Sequence, residues 1–215
     1  MSSHYFEAQP TAAHRPGQVR VVLPDVYLEL ETDSGVFSPG RLDPGTRLLL
    51  EEAPPPPADG DLLDLGCGYG PVACVLAKRS PAARVWAVDV NERALGLTAR
   101  NAARGGLANV RTATPDDPAV PAELAAIWSN PPIRIGKAAL HEMLRSWLTR
   151  LRPGGRACLV VGKNLGSDSL ASWLADSGWP ATRVAARSGY RLLLVESQGP
   201  PPRQQPPKRT PVTPS

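Results

Sequence analysis

Short apolar runs alternate with segments of helical periodicity through most of the chain beyond residue 60. Such runs, bounded by turn residues, are typical of buried β-strands. They predict strands over residues 61–65, 84–89, 109–113, 124–129 and 157–161. Between them, apolar residues recur every three or four positions, which predicts helices over residues 71–78, 91–104, 138–151 and 169–177. This alternation indicates an α/β fold built on a parallel sheet.

The end of this pattern differs, because two more predicted strands have only a short connection. Residues 182–185 and 190–195 flank Ser188–Gly189 and are predicted to form a hairpin. Residues 152–155 are predicted to turn the chain from the last long helix into strand 157–161. The whole pattern predicts a doubly wound, mostly parallel, seven-stranded sheet with an antiparallel C-terminal strand.

The amino-terminal segment reads as extended chain rather than as helix. Residues 21–23 and 26–32 suggest strands, with a turn near 33–35. Asp43 is placed to cap a short helix that runs through Leu50. Residues 1–53 are therefore predicted to be a β-rich extension, which either covers the functional site as a lid or packs on the main domain.

Proline-rich stretches mark the predicted boundaries. The run at 54–57 opens a main domain over 54–197, and residues 198–215 are too polar and proline-rich to pack, which predicts a disordered tail. Three of the chain's net +4 formal charges belong to the tail, which leaves only +1 for the rest; they are Arg203, Lys208 and Arg209. The tail could contact a polyanion such as RNA or stay solvated.

Neither targeting nor metal chemistry is evident. The amino terminus lacks the apolar core of a signal peptide, and no apolar run approaches the length of a membrane span. We therefore expect a cytoplasmic protein with no membrane partner. Cys67, Cys74 and Cys158 are odd in number and lack metal-ligand spacing, so we expect reduced, buried thiols and no metal site.

A glycine-rich turn follows the first strand of the main domain. Gly66, Gly68 and Gly70 permit positive φ and leave no Cβ in the way of a ligand, and Pro71 opens a helix whose free N–H groups favour an anion. A tight turn without a ligand is the alternative. A dinucleotide fingerprint is disfavoured, because Pro71 stands where its last glycine belongs.

Asp89 stands at the carboxyl end of the second strand, about twenty residues beyond the glycine turn. An acid in that place can accept hydrogen bonds from ribose hydroxyls, or it can cap the helix that starts near Asn91. The two roles are compatible, because a carboxylate has two oxygens.

The spacing Asp-x-Gly-x-Gly-x-Gly from Asp64 resembles the first motif of class I S-adenosylmethionine (SAM) methyltransferases. With it, Asn130-Pro131-Pro132 after the fourth strand resembles the members that methylate planar amino or amide nitrogens. The resemblance implies SAM as cofactor, with Asp64 near its methionine end. The residues so implied in cofactor binding, with Asp116 as the adenine contact, are Asp64, Gly66, Cys67, Gly68, Gly70, Asp89, Val90, Asp116 and Asn130.

The run 128–134 looks like that of ribosomal RNA guanine-N2 methyltransferases of the "methyltransferase small domain" group. The resemblance continues through residues 35–38, 42–50, 151–155 and 189–191. It implies methyl transfer to the exocyclic N2 amine of a guanine, with ribosomal RNA as the partner. The implied substrate-binding residues are Phe37, Pro132, Ile133, Arg134 and Lys137.

The chemistry explains these residue types. A guanine amine is a poor nucleophile because its lone pair is delocalised into the ring, and two acceptors aimed at its N–H bonds can redirect that lone pair. The Asn130 side-chain carbonyl and the Pro131 backbone carbonyl are the catalytic candidates, and consecutive prolines hold them in place. No dedicated base is evident among the scattered residues His4, His14 and His141, so the proton is expected to leave after transfer.

Two departures leave the substrate open. Ile133 stands where many Asn-Pro-Pro enzymes carry an aromatic residue, and the chain is too short for the second, cofactor-free domain of some relatives. A protein glutamine N5-methyltransferase is the alternative enzyme, but those enzymes usually have tyrosine at the position of Ile133 and a helical N-terminal domain. A non-catalytic module would be expected to have lost Asp64, the glycines or Asn130, all of which are present.

Overall fold

The computed structural model of the chain describes residues 13–36, 38, 40–132 and 135–198. Three predicted substrate-binding residues, Phe37, Ile133 and Arg134, lie outside the described residues, as do residues 199–215 of the predicted tail 198–215. None of the helices that the structure describes is both long and apolar enough to cross a membrane.

The order of elements follows the predicted alternation of strands and helices. The described strands are β1 (Gly17–Val22), β2 (Tyr27–Thr32), β3 (Asp61–Leu65), β4 (Arg84–Val88), β5 (Val110–Ala113), β6 (Leu124–Ser129), β7 (Leu151–Gly162), β8 (Ala181–Arg187) and β9 (Tyr190–Glu196). The described α-helices are α1 (Pro44–Glu52), α2 (Pro71–Arg79), α3 (Glu92–Arg104), α4 (Lys137–Leu148) and α5 (Ser167–Asp176).

Strands β3 to β9 form one seven-stranded sheet in the order β5-β4-β3-β6-β7-β9-β8. Its strands are parallel except β9, which runs antiparallel to both of its neighbours. The β8–β9 hairpin turns at Ser188 and Gly189, both of which have positive φ, as tight hairpin turns require. The predicted fold class is confirmed.

Both faces of the sheet are covered, which explains why its strands are continuous apolar runs. Successive strand residues point to opposite faces, so Leu62 packs with the apolar residues of α1, α2 and α3. Its neighbour Leu63 packs with those of α4 and α5. The strand β6 follows the same rule, with Trp128 on the first face and Ile127 on the second.

Strands β3 and β6 lie side by side at the centre of the sheet. Leu65 is in register with Ser129, whose hydroxyl donates a 2.7 Å hydrogen bond to the Leu65 carbonyl. The loops that leave these two carboxyl ends therefore begin next to each other. The strand order also reverses here, since β4 and β5 lie on one side and β7 on the other. In open α/β sheets this switch point is where ligands bind.

The amino-terminal strands β1 and β2 form a separate two-stranded sheet, as the sequence predicts for the extension. Its inner face, including Val21 and Leu30, belongs to the same apolar cluster as α2 and α3. Asn101 of α3 fixes its position, because the side chain bonds both the N–H and the carbonyl of Glu31 and also the carbonyl of Tyr69. The hairpin thus packs against α3 and the glycine-rich turn.

The prediction of a turn over residues 152–155 is wrong. Helix α4 ends at Leu148 rather than at Leu151, and residues 152–155 lie inside strand β7 instead of turning into it. The Gly154 N–H donates to the Ser197 carbonyl, and the Ser197 N–H donates to the Gly155 carbonyl. These bonds pair β7 with the residue that follows β9. On its other side, β7 forms a bulge against β6, where the register shifts between Leu124 and Ala126. Ser197, the hydrogen-bond partner of these glycines, is more than forty residues away along the chain. Pairing within the sheet therefore overrules the local turn propensity.

We predict that Gly155→Ala lowers the free energy of unfolding by about 1 to 3 kcal/mol, the usual cost of forcing an atom into a packed site. A Cβ there would lie 2.9 Å from the Arg152 carbonyl oxygen and 3.2 Å from two further backbone oxygens. Chemical denaturation measures the change. Gly96→Ala is the control: its Cβ would stay 3.6 Å from Arg100, so this helical substitution should stabilise the protein. Equal effects of both variants would contradict the prediction.

Candidate functional site

The glycine-rich turn wraps around the end of strand β4. The N–H groups of Gly66 and Cys67 both donate to the Val88 carbonyl, and the Gly70 N–H donates to the Cys67 carbonyl. All three glycines have positive φ, and Gly70 precedes Pro71, the first residue of α2. The turn is therefore tightly held by its own backbone, which agrees with the predicted use of glycine.

The three glycines serve different spatial needs. A Cβ at Gly70 would lie 2.7 Å from Thr98 Oγ1, so this glycine allows α3 to approach the turn. A Cβ at Gly68 would meet nothing within 4 Å, and one at Gly66 would lie 3.9 Å from Pro132 Cδ. Gly66 thus faces the loop that leaves β6, and a side chain there would enter the space between the two loops.

Asp64 is buried and binds the first turn of helix α2. Its Oδ2 accepts a 2.8 Å hydrogen bond from the N–H of Ala73, in the first turn of the helix. Burial, with the charge of Asp89 adding to it, raises the pKa of Asp64 to about 8. The carboxyl group thus holds the turn and the helix together, and it lies close enough to Asp89 for their charges to interact.

Asp89 also bonds the glycine-rich turn. Its Oδ2 accepts from the Gly68 N–H and its Oδ1 from the Asn91 N–H, both at 2.9 Å. Burial raises its pKa above the ordinary value. The N-cap of α3 is Asn91 itself, whose side chain accepts from the N–H groups of Arg93 and Ala94. The capping role considered for Asp89 is therefore filled by Asn91.

The other residues predicted at the cofactor differ in placement. Cys67 is buried, with its Sγ accepting from Thr98 Oγ1 at 3.6 Å, so only its backbone belongs to the turn. Val90 is 42% exposed beside Asp89. Asp116 is exposed three residues beyond β5, and a hydrogen bond from Thr114 lowers its pKa. It lies on the same edge of the sheet, because the Asp89 N–H donates to the last carbonyl of β5.

Asn130 is oriented by two acceptors from the start of α1. Its Nδ2 donates to Asp43 Oδ2 at 2.8 Å and to Thr46 Oγ1 at 3.0 Å. A carboxylate oxygen can only accept, so the amide nitrogen must face Asp43 and the carbonyl must face away from it. Within the described part of the chain, Asn130 Oδ1 accepts no hydrogen bond.

The second candidate acceptor, the Pro131 carbonyl, also receives no hydrogen bond from a described backbone N–H group. The Pro132 carbonyl accepts from the Ile135 N–H at 3.1 Å, whereas the Pro131 carbonyl accepts no backbone hydrogen bond from any described residue. Pro131 is buried and Pro132 is half-buried. Lys137 is exposed at the start of α4, a few residues further on. The geometry therefore leaves two carbonyl groups beside the glycine-rich turn without a described partner.

Asp43 was predicted only as a helix cap, and its link to the candidate site was missed. It does cap α1, accepting from the Thr46 N–H at 2.9 Å, and it also receives Asn130 and, at 3.4 Å, the hydroxyl of Tyr190. The ring of Tyr190 lies against Gly45, where a Cβ would come within 2.7 Å of it. Both segments were part of the family resemblance, which was the available signal.

A cavity of about 830 Å³ lies away from these residues, at the amino-terminal edge of the sheet. Asp61 and Arg84, which begin β3 and β4, line it together with the exposed Lys78. The candidate site occupies the opposite, carboxyl-terminal edge.

Comparison with known proteins gives a consistent family. A family model described as "Methyltransferase small domain" matches residues 27–193. The chain is 32% identical over 201 residues to the uncharacterized protein YbxB of Bacillus subtilis (strain 168), covering 91% of this chain and 99% of that protein. It is 40% identical over 174 residues to the ribosomal RNA small subunit methyltransferase C of Ectopseudomonas mendocina (strain ymp), covering 79% of this chain. The match spans only 51% of that longer relative.

A solved structure has the same fold. It is the T. thermophilus 16S rRNA N2 G1207 methyltransferase (RsmC) in complex with AdoMet and guanosine, with a TM-score of 0.70 and 24% identity. The match covers 87% of this chain and 52% of that one. At this identity the likeness supports the fold, and the fold agrees with the sheet order described above.

The raised pKa of Asp64 predicts that stability falls with pH. Between pH 4 and 8 the folded state keeps a proton that the unfolded state has released, so the free energy of unfolding should fall by up to about 1.4 kcal/mol per pH unit. Asp64→Asn should flatten this dependence in denaturation series from pH 5 to 8.5. Asp25→Asn is the control. Arg79 lowers the pKa of Asp25, so this carboxyl group is ionised throughout that pH range and its loss should leave the slope unchanged. Parallel curves for wild type and Asp64→Asn would refute the prediction.

Proposed function

Because this chain belongs to the methyltransferase small domain family, we propose that it is a SAM-dependent N-methyltransferase acting on the exocyclic N2 amine of a guanine in ribosomal RNA. The observation that carries the proposal is the orientation of Asn130. Its amide nitrogen is held by Asp43 and Thr46, so its carbonyl oxygen remains for an N–H donor beside the glycine-rich turn.

The residues of the turn fit the cofactor. Gly66 and Gly68 keep Cβ atoms out of the space between the two loops, and nothing described lies within 4 Å of a Cβ built at Gly68. In the proposal this space takes the methionine part of SAM near Asp64, while Asp89 accepts from a ribose hydroxyl. Asp89 already accepts backbone hydrogen bonds from Gly68, Asn91 and Val90, and its two oxygens have about four acceptor sites in all, so one remains for a ribose hydroxyl. Cys67, Val90 and Asp116 complete the proposed cofactor contacts.

SAM supplies an activated methyl group, so the protein's own task is alignment and electrostatics. Asn130 Oδ1 and the Pro131 carbonyl would each accept one N–H of the amine. Those two bonds direct the nitrogen lone pair out of the guanine ring plane and towards the methyl donor. The nitrogen gains positive charge as it is methylated, and the two carbonyl dipoles stabilise that charge.

Preorganisation distinguishes these acceptors from surface carbonyls. Two consecutive prolines fix φ at Pro131 and Pro132, and Asp43 fixes the side-chain amide of Asn130. Little freedom is left to lose when a base enters, which is the usual source of rate enhancement by positioning. The amine's surplus proton would leave to solvent after transfer.

The choice of ribosomal RNA rests on relatives whose names state it: the curated relative is a ribosomal RNA small subunit methyltransferase, and the structural neighbour holds guanosine. A paired base would have to leave its helix or be presented single-stranded, which costs roughly a few kcal/mol. Pro132 and Lys137 are proposed to contact the base and a phosphate. Phe37, Ile133 and Arg134 stay predictions for the same surface.

A protein glutamine N5-methyltransferase, which would use the same Asn-Pro-Pro geometry on a side-chain amide, is the alternative. Mass spectrometric mapping of modified nucleosides in ribosomal RNA from a deletion strain separates the two. Loss of one N2-methylguanosine supports the proposal, and unchanged ribosomal RNA contradicts it.

We predict that Asn130→Ala loses methyl transfer by about 100- to 1,000-fold, the typical cost of removing one preorganised group. SAM binding should persist, because Asp64, Asp89 and the glycine-rich turn are untouched. Single-turnover transfer from labelled SAM and calorimetry measure the two quantities. Asn109→Ala, which changes an asparagine at the opposite edge of the sheet, is the matched control. Normal turnover in Asn130→Ala would rule out its role as an acceptor.

We also predict that Asp43→Ser reduces turnover by roughly 10- to 100-fold while the protein stays folded. Serine caps helices well but is too short to reach the Asn130 amide, so α1 should persist and the amide should lose its anchor. Asp43→Asn keeps one acceptor oxygen and should recover part of the rate. Turnover and circular dichroism provide the test, and a fully active Asp43→Ser variant would contradict the positioning role.

A further inference from the structure

An arginine-lined groove lies beside the candidate site, between the amino-terminal hairpin and α1. We name it the Arg41 groove. It has a volume of about 480 Å³, and its described lining contains three arginines and no acidic residue: Gln18, Val19, Arg20, Gly40, Arg41, Leu42 and Arg47. We propose that the Arg41 groove binds the phosphates of a single-stranded RNA segment next to the target nucleotide. This inference rests on the proposed function.

The arginines retain donors for phosphates. Arg20 bonds Glu29 through Nε, so its two terminal NH₂ groups stay available, and its side chain is 73% exposed. Arg47 bonds Glu51 through Nη1 only. Arg187 pairs with both Glu51 and Glu52, so two carboxylates balance the guanidinium groups of Arg47 and Arg187. The positive excess of the groove therefore comes from Arg41, and the free terminal groups of Arg20 and Arg47 add donors for a polyanion.

Arg41 connects the groove to the site. It is exposed and has no acidic partner among the described residues. Its positive charge acts on Tyr190, where it opposes the increase of that hydroxyl's pKa caused by burial and Asp43. Tyr190 in turn bonds Asp43, which holds Asn130. Arg41 is only two residues from Asp43, so their Cα atoms lie within about 7 Å of each other.

The position of Arg41 is fixed by the glycine-rich turn. The hydroxyl of Tyr69 donates to the Arg41 carbonyl at 3.5 Å, and Ser38 Oγ donates to the same oxygen at 3.0 Å. The backbone that carries Arg41 is therefore tied to the turn proposed to hold the cofactor. A strand with phosphates in the groove would bring its next nucleotide to Asn130. The occupant is single-stranded because the reacting amine of a paired guanine is engaged in the duplex.

The test uses the full chain and a fluorescein-labelled, 12-nucleotide single-stranded RNA with one central guanine. Arg41→Gln should weaken binding by about three- to tenfold and reduce the salt slope by about 0.7, the value for one phosphate contact to a single strand. Arg20→Gln should act in the same direction. Lys78→Gln is the matched control, since Lys78 is exposed and lines the cavity at the opposite edge. Fluorescence anisotropy against salt gives both quantities.

Calorimetry with SAM and thermal unfolding confirm that each variant is folded, and both should match wild type. Wild-type affinity in Arg41→Gln, or an equal loss in Lys78→Gln, would overturn the proposal. Equally tight, Arg41-dependent binding of a duplex of the same sequence would overturn its single-stranded part. Asn130→Ala should bind the RNA normally although it is inactive. A wild-type protein that binds RNA through Arg41 but transfers no methyl group would contradict the proposed function and leave the groove proposal standing.

Discussion

The hydrogen bond between Asn130 and Asp43 is the contact on which the rest of the candidate site depends. At 2.8 Å it joins the loop after β6 to the start of α1, and Tyr190 of β9 reaches the same carboxylate. Three distant parts of the chain thus fix the orientation of one amide. Because the carboxylate can only accept, the bond decides which end of the amide faces a substrate.

The adjacent carboxyl groups give the site its electrostatic character. Asp64 and Asp89 lie at the ends of β3 and β4, and burial raises the pKa of both. A cationic ligand placed between the two loops would favour their ionised forms and relieve this cost. The sulfonium and ammonium groups of SAM are such cations, so the same burial that lowers stability near neutral pH suits the proposed cofactor.

Acidic and basic side chains lie on different sides of the Asn130 loop, which suits the two proposed ligands, SAM and RNA. Carboxyl groups meet at the glycine-rich turn, whereas arginines line the Arg41 groove beside it. The Asn130 loop lies at the junction, because Asp43 follows Arg41 closely in sequence and bonds Asn130. One amide therefore lies between buried carboxyl groups, whose ionised forms a cationic methyl donor would favour, and exposed arginines that suit a polyanionic acceptor.

The pattern of apolar residues was enough to predict the sheet class, most strands and helices and the two loops at the switch point. Strands buried on both faces are continuous apolar runs, and helices repeat apolar residues every three or four positions. Local signals could not determine that residues 152–155 continue β7, since their ladder partner is Ser197. Nor could they show that Asp43 orients Asn130, because 87 residues separate the two. Both features depend on hydrogen bonds between distant segments, which only the folded chain brings within reach.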